Sequence, residues 1–136
     1  MQLVIPMSGI GKRFLDAGYK VPKPLILVSG KPIIEHVVGM FQGIEEILFI
    51  VNSDHLANEK FKLKQTLMQI APGAEIVAIA PHKKGPAWAI QEASKYINPN
   101  TPVIVNYCDF AWSWDFDGFR RELDSGIDGL IATYSG

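Results

Sequence analysis

The sequence predicts an α/β domain built on an open, mainly parallel sheet with helices on both faces. Three observations predict it. Short β-branched runs alternate with longer amphipathic ones along the 136 residues, the pattern of strands joined by crossover helices. The run Ile47 to Val51 (ILFIV) is apolar at every position, as a central strand covered on both faces must be. A glycine-rich turn directly follows the first run, where α/β sheets usually hold phosphates.

Gln2 to Pro6 (QLVIP) is the first strand, with Pro6 expected to stop it. Pro32 is expected to open a helix at its favoured first position. Ile33, Ile34, Val37, Val38 and Phe41 follow at helical spacing, leaving Glu35 and His36 on the wet side. Ile47 to Val51 is the second strand. A helix over 56–70 carries Leu63, Leu67 and Ile70 on one stripe, and Pro72-Gly73 breaks it. Glu75 to Ala80 is the third strand, and Pro86 to Ile97 the third helix. Pro102 to Asn106 is the fourth strand. Phe116 to Leu123 is a helix capped by Asp115, and Gly129 to Tyr134 a fifth strand. No repeat, low-complexity tract or linker interrupts this order, so residues 1–136 are expected to be one unit. A domain ending on a strand lacks that strand's covering helix. Continuation of the natural chain, or a partner over that edge, is the expectation.

Composition excludes several classes of protein. With 48% hydrophobic and 20% charged residues the chain is ordinary for a globular domain. A net charge of -1 provides no field to attract nucleic acid or anionic membrane. No apolar run approaches the roughly 18 residues of a membrane span, and Cys108 is the single cysteine. A cytoplasmic address is expected. Oligomerisation is left open.

Charge is nonetheless uneven. Lys12, Arg13, Lys20, Lys23 and Lys31 fall within twenty residues that contain one acid, Asp16. A local basic patch on a near-neutral chain points to a small anionic ligand, although a solvated basic stretch has the same composition.

The turn itself, PMSGIGKRFLDAGYKVPKPL from Pro6 to Leu25, decides between them. It is not a P-loop: Pro6 stands where the first glycine belongs, and Arg13 replaces the hydroxyl after the lysine. It is not a dinucleotide fingerprint, because Phe14 stands in place of the third glycine. What remains is G-x-G-x-R, then P-K-P. Gly9 and Gly11 let the backbone approach a ligand closely. Arg13 offers a planar fork, and Lys23 is a compact charge held between Pro22 and Pro24. Prolines on both sides restrict the lysine to extended backbone.

PMSGIGKRF and VPKPLILVSGKPIIEHVV resemble the opening signature of the sugar-phosphate nucleotidyltransferases, the pyrophosphorylases that make nucleotide sugars. The chain is most similar to bacterial members associated with capsule and lipopolysaccharide precursors, which carry a comparable I-P-M-x-G and GYxxPKPL. The resemblance extends along nearly the whole chain in element order and is specific over Ile5 to Val38.

It implies a Rossmann-like fold of the nucleotide-diphospho-sugar transferase type, of which this chain would be the N-terminal nucleotide-binding part. It implies transfer of a nucleoside monophosphate from a nucleoside triphosphate to a phosphorylated acceptor, with release of pyrophosphate. Arg13 and Lys23 would be the catalytic cations. Pro6, Met7, Ser8, Gly9, Ile10, Gly11 and Lys12 would surround the nucleotide. So would Gly85 and Pro86 of KGPA, which resembles the family's G-T-A, and Tyr107 and Cys108. Asp109 would bind Mg²⁺, which favours one or two carboxylates plus substrate phosphates.

Departures from the family pattern matter. Ala80 stands where a base-reading glutamine is usual, so base specificity does not carry over. Cys108 replaces a glycine, and the family's second metal-binding aspartate belongs to a later part of the chain.

Other residues have plainer readings. Phe110, Trp112 and Trp114 could face a sugar ring, but packing is the more ordinary role. Asp115 and Asp117 form a D-x-D, the metal motif of many glycosyltransferases, and equally a helix cap with an acidic first turn. His36, His55 and His82 lack zinc-ligand spacing. The positive run His82-Lys83-Lys84 could add charge beside the pocket, but a wet loop is the more ordinary reading. Cys108 has no paired base and is not expected to be a nucleophile. A nucleotide-binding module without turnover, and a glycosyltransferase using Asp115 and Asp117, are the remaining alternatives.

Overall fold

The computed structural model describes residues 1–133. Its centre is a four-stranded parallel sheet of β1 (Gln2–Met7), β4 (Glu46–Asn52), β5 (Glu75–Ile79) and β6 (Val103–Val105), in the spatial order β5-β4-β1-β6. A two-stranded antiparallel hairpin of β2 (Leu27–Val28) and β3 (Lys31–Pro32) stands apart from it. The expected α/β class is therefore observed.

Parity along the strands divides the core. Leu3, Ile5 and Met7 of β1 and Ile47, Phe49 and Val51 of β4 share one face with α2 (Ile33–Gly39), α4 (Leu63–Ile70) and Phe116 of α6 (Phe116–Leu123). Val4, Leu48 and Ile50 point the other way, against Ala89 and Ala93 in and just after α5 (Pro86–Glu92). Leu3, Val4, Ile5, Leu48, Phe49, Ile50 and Val51 are fully buried. This double coverage is why these strands are continuous apolar runs.

Pro6 does not end β1. It pairs with Ile50, and the strand runs on to Met7. Even-numbered residues of β1 face β6, since the Gln2 N–H donates to Pro102 and the Val4 carbonyl accepts from Asn106. Beyond Val4 the β6 strand has ended. The N–H that proline lacks therefore has no strand opposite it, which is where a sheet tolerates proline.

The expected helix over 56–70 is broken. Chain order gives α3 (Ser53–Ala57), a 3₁₀ turn at Glu59–Phe61, and then α4. Asn58 lies in extended backbone, its side chain accepting from the Lys60 N–H at 3.1 Å, and Lys62 takes a left-handed φ of 49°. A short amide side chain offers the backbone an alternative to the helical ladder. The third helix likewise stops at Glu92, followed by a 3₁₀ turn at Ser94–Tyr96. Pro32 caps α2 rather than opening its first turn. Residues 129–133 are not a strand, and Tyr134 lies outside the described residues. The short helix α1 (Lys12–Asp16) and the hairpin were not anticipated.

Candidate active site

Strand order locates the crevice. Counting only the main sheet, the chain builds outwards from β1 to β4 to β5, then returns across to β6 on the other side of β1. The order reverses between β1 and β6, and ligands of open α/β sheets bind outside the carboxyl ends of the strands at such a reversal. The glycine turn leaves β1 there, and the turn bearing Asp109 leaves β6 beside it.

Two buried asparagines hold these exits. Asn52, at the end of β4, donates from Nδ2 to the Ser8 carbonyl at 3.3 Å, and its Oδ1 accepts from the Asp54 and His55 N–H groups. Asn106, just after β6, donates to the Tyr107 and Phe110 carbonyls at 2.8 and 3.2 Å. Each ends an apolar run in V-N. That local signal could have identified them from sequence; the reading of the motifs missed both.

Pro6, Met7 and Ser8 are buried, whereas Gly9, Lys12 and Arg13 are exposed. Gly11 takes φ 69°, ψ 31° at the cap of α1, a left-handed conformation that glycine enters without penalty. Pro22 and Pro24 are buried, and Lys23 opens a 3₁₀ turn over Lys23–Leu25 instead of the extended backbone expected of it, the turn being closed by the Leu25 N–H donating to the Pro22 carbonyl at 2.8 Å. The turn directs Lys23 to an ion pair with the Asp109 carboxylate, with the Phe14 ring 4.7 Å from Nζ. Lys31 is paired with Glu35. Among the described residues Lys12, Arg13 and Lys20 carry no such pair. Of the basic cluster, these three keep their charge uncompensated.

Tyr107 is exposed beside the half-buried Cys108. Burial, reinforced by the Asp109 carboxylate, pushes the Cys108 thiol up to about 12, with Lys23 opposing the shift. The thiol is therefore protonated at neutral pH and is no nucleophile. No group of three metal-ligating side chains is found among the described residues. Asp109 belongs to no such group.

On the other flank, Gly85 caps α5 at φ 88°, ψ 174°, a backbone region essentially confined to glycine. Pro86 follows at the first helical position, and both residues are exposed. Of His82-Lys83-Lys84, the two lysines are exposed in a loop as expected, and His82 is the exception. His82 is half-buried, its Nε2 lies 2.8 Å from Ser8 Oγ, and its ring sits 4.3 Å from that of Trp88. Lys84 places Nζ 4.6 Å from the Trp88 ring.

The tryptophans after Asp109 pack. Trp114 lies against Phe41, Phe116 and Phe119 and donates from Nε1 to the Met40 carbonyl. Asp115 accepts from the Gly118 N–H at 2.8 Å, so its carboxylate serves as the cap of α6. Clefts of about 610 and 600 Å³ lie along α2 and against β6, and neither is lined by the glycine turn.

A glycine turn and a cation–carboxylate pair at the reversal point of the sheet define an open, doubly wound α/β domain with its crevice at the carboxyl ends of β1 and β6. The chain belongs to the MobA-like NTP transferase domain family, whose profile matches residues 3–136. It is 36% identical over 61 residues to a UTP–glucose-1-phosphate uridylyltransferase of Haemophilus ducreyi, covering 43% of this chain and 21% of that protein. It is 28% identical over 131 residues to the bifunctional protein GlmU of Burkholderia ambifaria, covering 95% of this chain and 26% of that one.

Solved structures share the fold. One assigned as a glucose-1-phosphate thymidylyltransferase from Bacillus anthracis, in complex with sucrose, superposes with a TM-score of 0.72 at 22% identity, over 92% of this chain and 50% of that one. HddC from Yersinia pseudotuberculosis complexed with GMP-PN gives 0.66 at 23% identity, over 93% and 54%. The chain thus spans about half the length of these structures.

Proposed function

We propose that this chain carries the nucleotide-binding side of a sugar-phosphate nucleotidyltransferase. A phosphate oxygen of the acceptor attacks the α-phosphorus of a nucleoside triphosphate. The bond to the bridging oxygen breaks, and pyrophosphate leaves. No protein nucleophile is required, which suits a site whose one thiol is held protonated. Alignment and charge neutralisation carry the catalysis. Arg13, exposed and uncompensated, neutralises the leaving pyrophosphate. Lys23 exchanges the Asp109 carboxylate for oxygens of the α-phosphate.

Asp109 would hold the divalent ion, Mg²⁺. The fit is to an ion that takes most of its oxygens from substrate phosphates and water, since Asp109 belongs to no group of three metal-ligating side chains among the described residues. Bound there, such an ion would screen phosphate charge. The acceptor is a sugar phosphate or a similar phosphorylated metabolite. Nucleotide-sugar production for cell-surface polysaccharide, in the cytoplasm where triphosphates are made, is the setting we infer from the sequence resemblance.

The observation carrying this reading is the Lys23–Asp109 pair beside the glycine turn at the sheet's reversal point. Calorimetry with ATP, GTP, CTP, UTP and dTTP, with and without Mg²⁺, tests the binding half. Pyrophosphate release with sugar 1-phosphates tests the transfer. Binding of at least one triphosphate with release of pyrophosphate supports the proposal. Binding without release assigns the chain to nucleotide binding alone, and absence of any binding overturns both.

A further inference from the structure

We infer that His82 is a positioning residue that latches the Gly85 segment to the glycine turn, so that the two segments close on a nucleotide as one wall. The inference rests on the nucleotide-binding reading of the site. Its first observation is a tautomer. The Lys84 backbone N–H lies 3.2 Å from His82 Nδ1 and can only donate, so Nδ1 accepts. In a neutral ring the proton then sits on Nε2, which donates to Ser8 Oγ at 2.8 Å. Ser8 is therefore the acceptor, and the pair is no serine–base couple. Its role is mechanical.

The second observation is where the pair sits. Ser8 leaves β1, Asn52 ends β4, and His82 follows β5. The Asn52 amide holds the Ser8 carbonyl while His82 holds the Ser8 hydroxyl. Two side-chain bonds thus tie the carboxyl ends of three adjacent strands along the rim of the crevice. Ser8 is 3% exposed, so water does not compete freely for its hydroxyl. Trp88 backs the imidazole, its ring centroid 4.3 Å away and its plane tilted by 56°. Three residues past His82, Gly85 begins α5 in a backbone conformation that only glycine adopts readily. A latch at this position sets the distance between Gly85 and Gly9.

His82→Asn separates the latch from the local turn. An asparagine can still accept the N–H two residues on, as Asn58 and Asn98 do here, but it is too short to reach Ser8. Ser8→Ala removes the same bond from the other end. Nitrogen NMR of the free chain reads the tautomer, amide exchange reads Lys84, and calorimetry reads binding of the five common triphosphates with Mg²⁺.

The expected result is a protonated Nε2 and an unprotonated Nδ1 in the parent chain. Each single variant should weaken triphosphate binding by about three- to tenfold, the worth of one such hydrogen bond. The double variant should be no weaker than either single one, because both remove one interaction. Thermal unfolding checks that each variant is folded. A proton on Nδ1, full affinity in either folded variant, or additive losses would overturn the latch. A parent chain with the expected NMR signature but no affinity for any triphosphate would overturn the nucleotide reading, and the positioning role with it.

Discussion

Lys23 and Asp109 lie 86 residues apart in the chain and form an ion pair across the crevice between β1 and β6. Each side chain keeps roughly a quarter of its surface in water (25% and 29%), so the pair is screened and adds little to stability. In the proposed mechanism its interest is electrostatic pre-arrangement: Lys23 would exchange the carboxylate for phosphate, and Asp109 would take up a divalent ion.

Substitution separates that role from folding. Lys23→Ala should leave the unfolding free energy within about 1 kcal/mol of the parent, yet reduce nucleotidyl transfer by on the order of 10²–10³. Asp109→Asn should behave alike and lose the benefit of added Mg²⁺. Urea titration alongside pyrophosphate release checks both, and full activity in folded Lys23→Ala would contradict its assignment.

The two glycine segments should respond differently to an added methyl group. Gly85 has open space around a prospective Cβ, but its φ of 88° and ψ of 174° oppose any side chain. Gly85→Ala should cost about 1–3 kcal/mol. Gly9 has open space and no such φ. Gly9→Ala should therefore keep stability within about 0.5 kcal/mol while weakening nucleotide binding, if phosphates approach the backbone there. Denaturant melts and calorimetry on the two variants make the comparison.

Asp115 distinguishes a helix cap from a metal motif. Asp115→Ala should lose about 1 kcal/mol of stability and leave the Mg²⁺ dependence of any activity unchanged. A Cβ on Gly118 would run into the Asp115 carboxylate, so Gly118→Ala should destabilise through the same cap. Loss of metal dependence on removing Asp115 would revive the D-x-D reading.

Cys108 gives a pH prediction. Its folded thiol is raised to about 12, chiefly by burial, against about 8.5 in an unfolded chain. The unfolded state therefore releases this proton first as pH rises. Stability from this group is complete below about 8.5 and is lost progressively towards pH 12. Iodoacetamide at pH 8 should label the folded chain slowly and the urea-unfolded chain fast. Asp109→Asn, by removing the second cause, should speed labelling of the folded form.

How much of this was legible in the residues depends on how far apart the deciding groups stand. The β-branched runs, the stop at Pro72-Gly73, the Asp115 cap and the G-x-G-x-R turn are interactions between near neighbours, and the sequence by itself determined them. It also determined that β1 and β4 would be covered on both faces, because their continuous apolar runs have no wet side to offer. Where a local competitor was overlooked, expectation failed: Asn58 and a left-handed Lys62 divide the helix expected over 56–70.

Only the tertiary structure decided which charges remain free and which segments meet. Lys23 is neutralised by Asp109, and Ser8 is joined to His82 over 74 residues. Pro6 is tolerated mid-strand because β6 has ended beside it. Such pairings depend on strand order and register. Those are set by how the sheet packs as a whole, and no spacing along the chain encodes them.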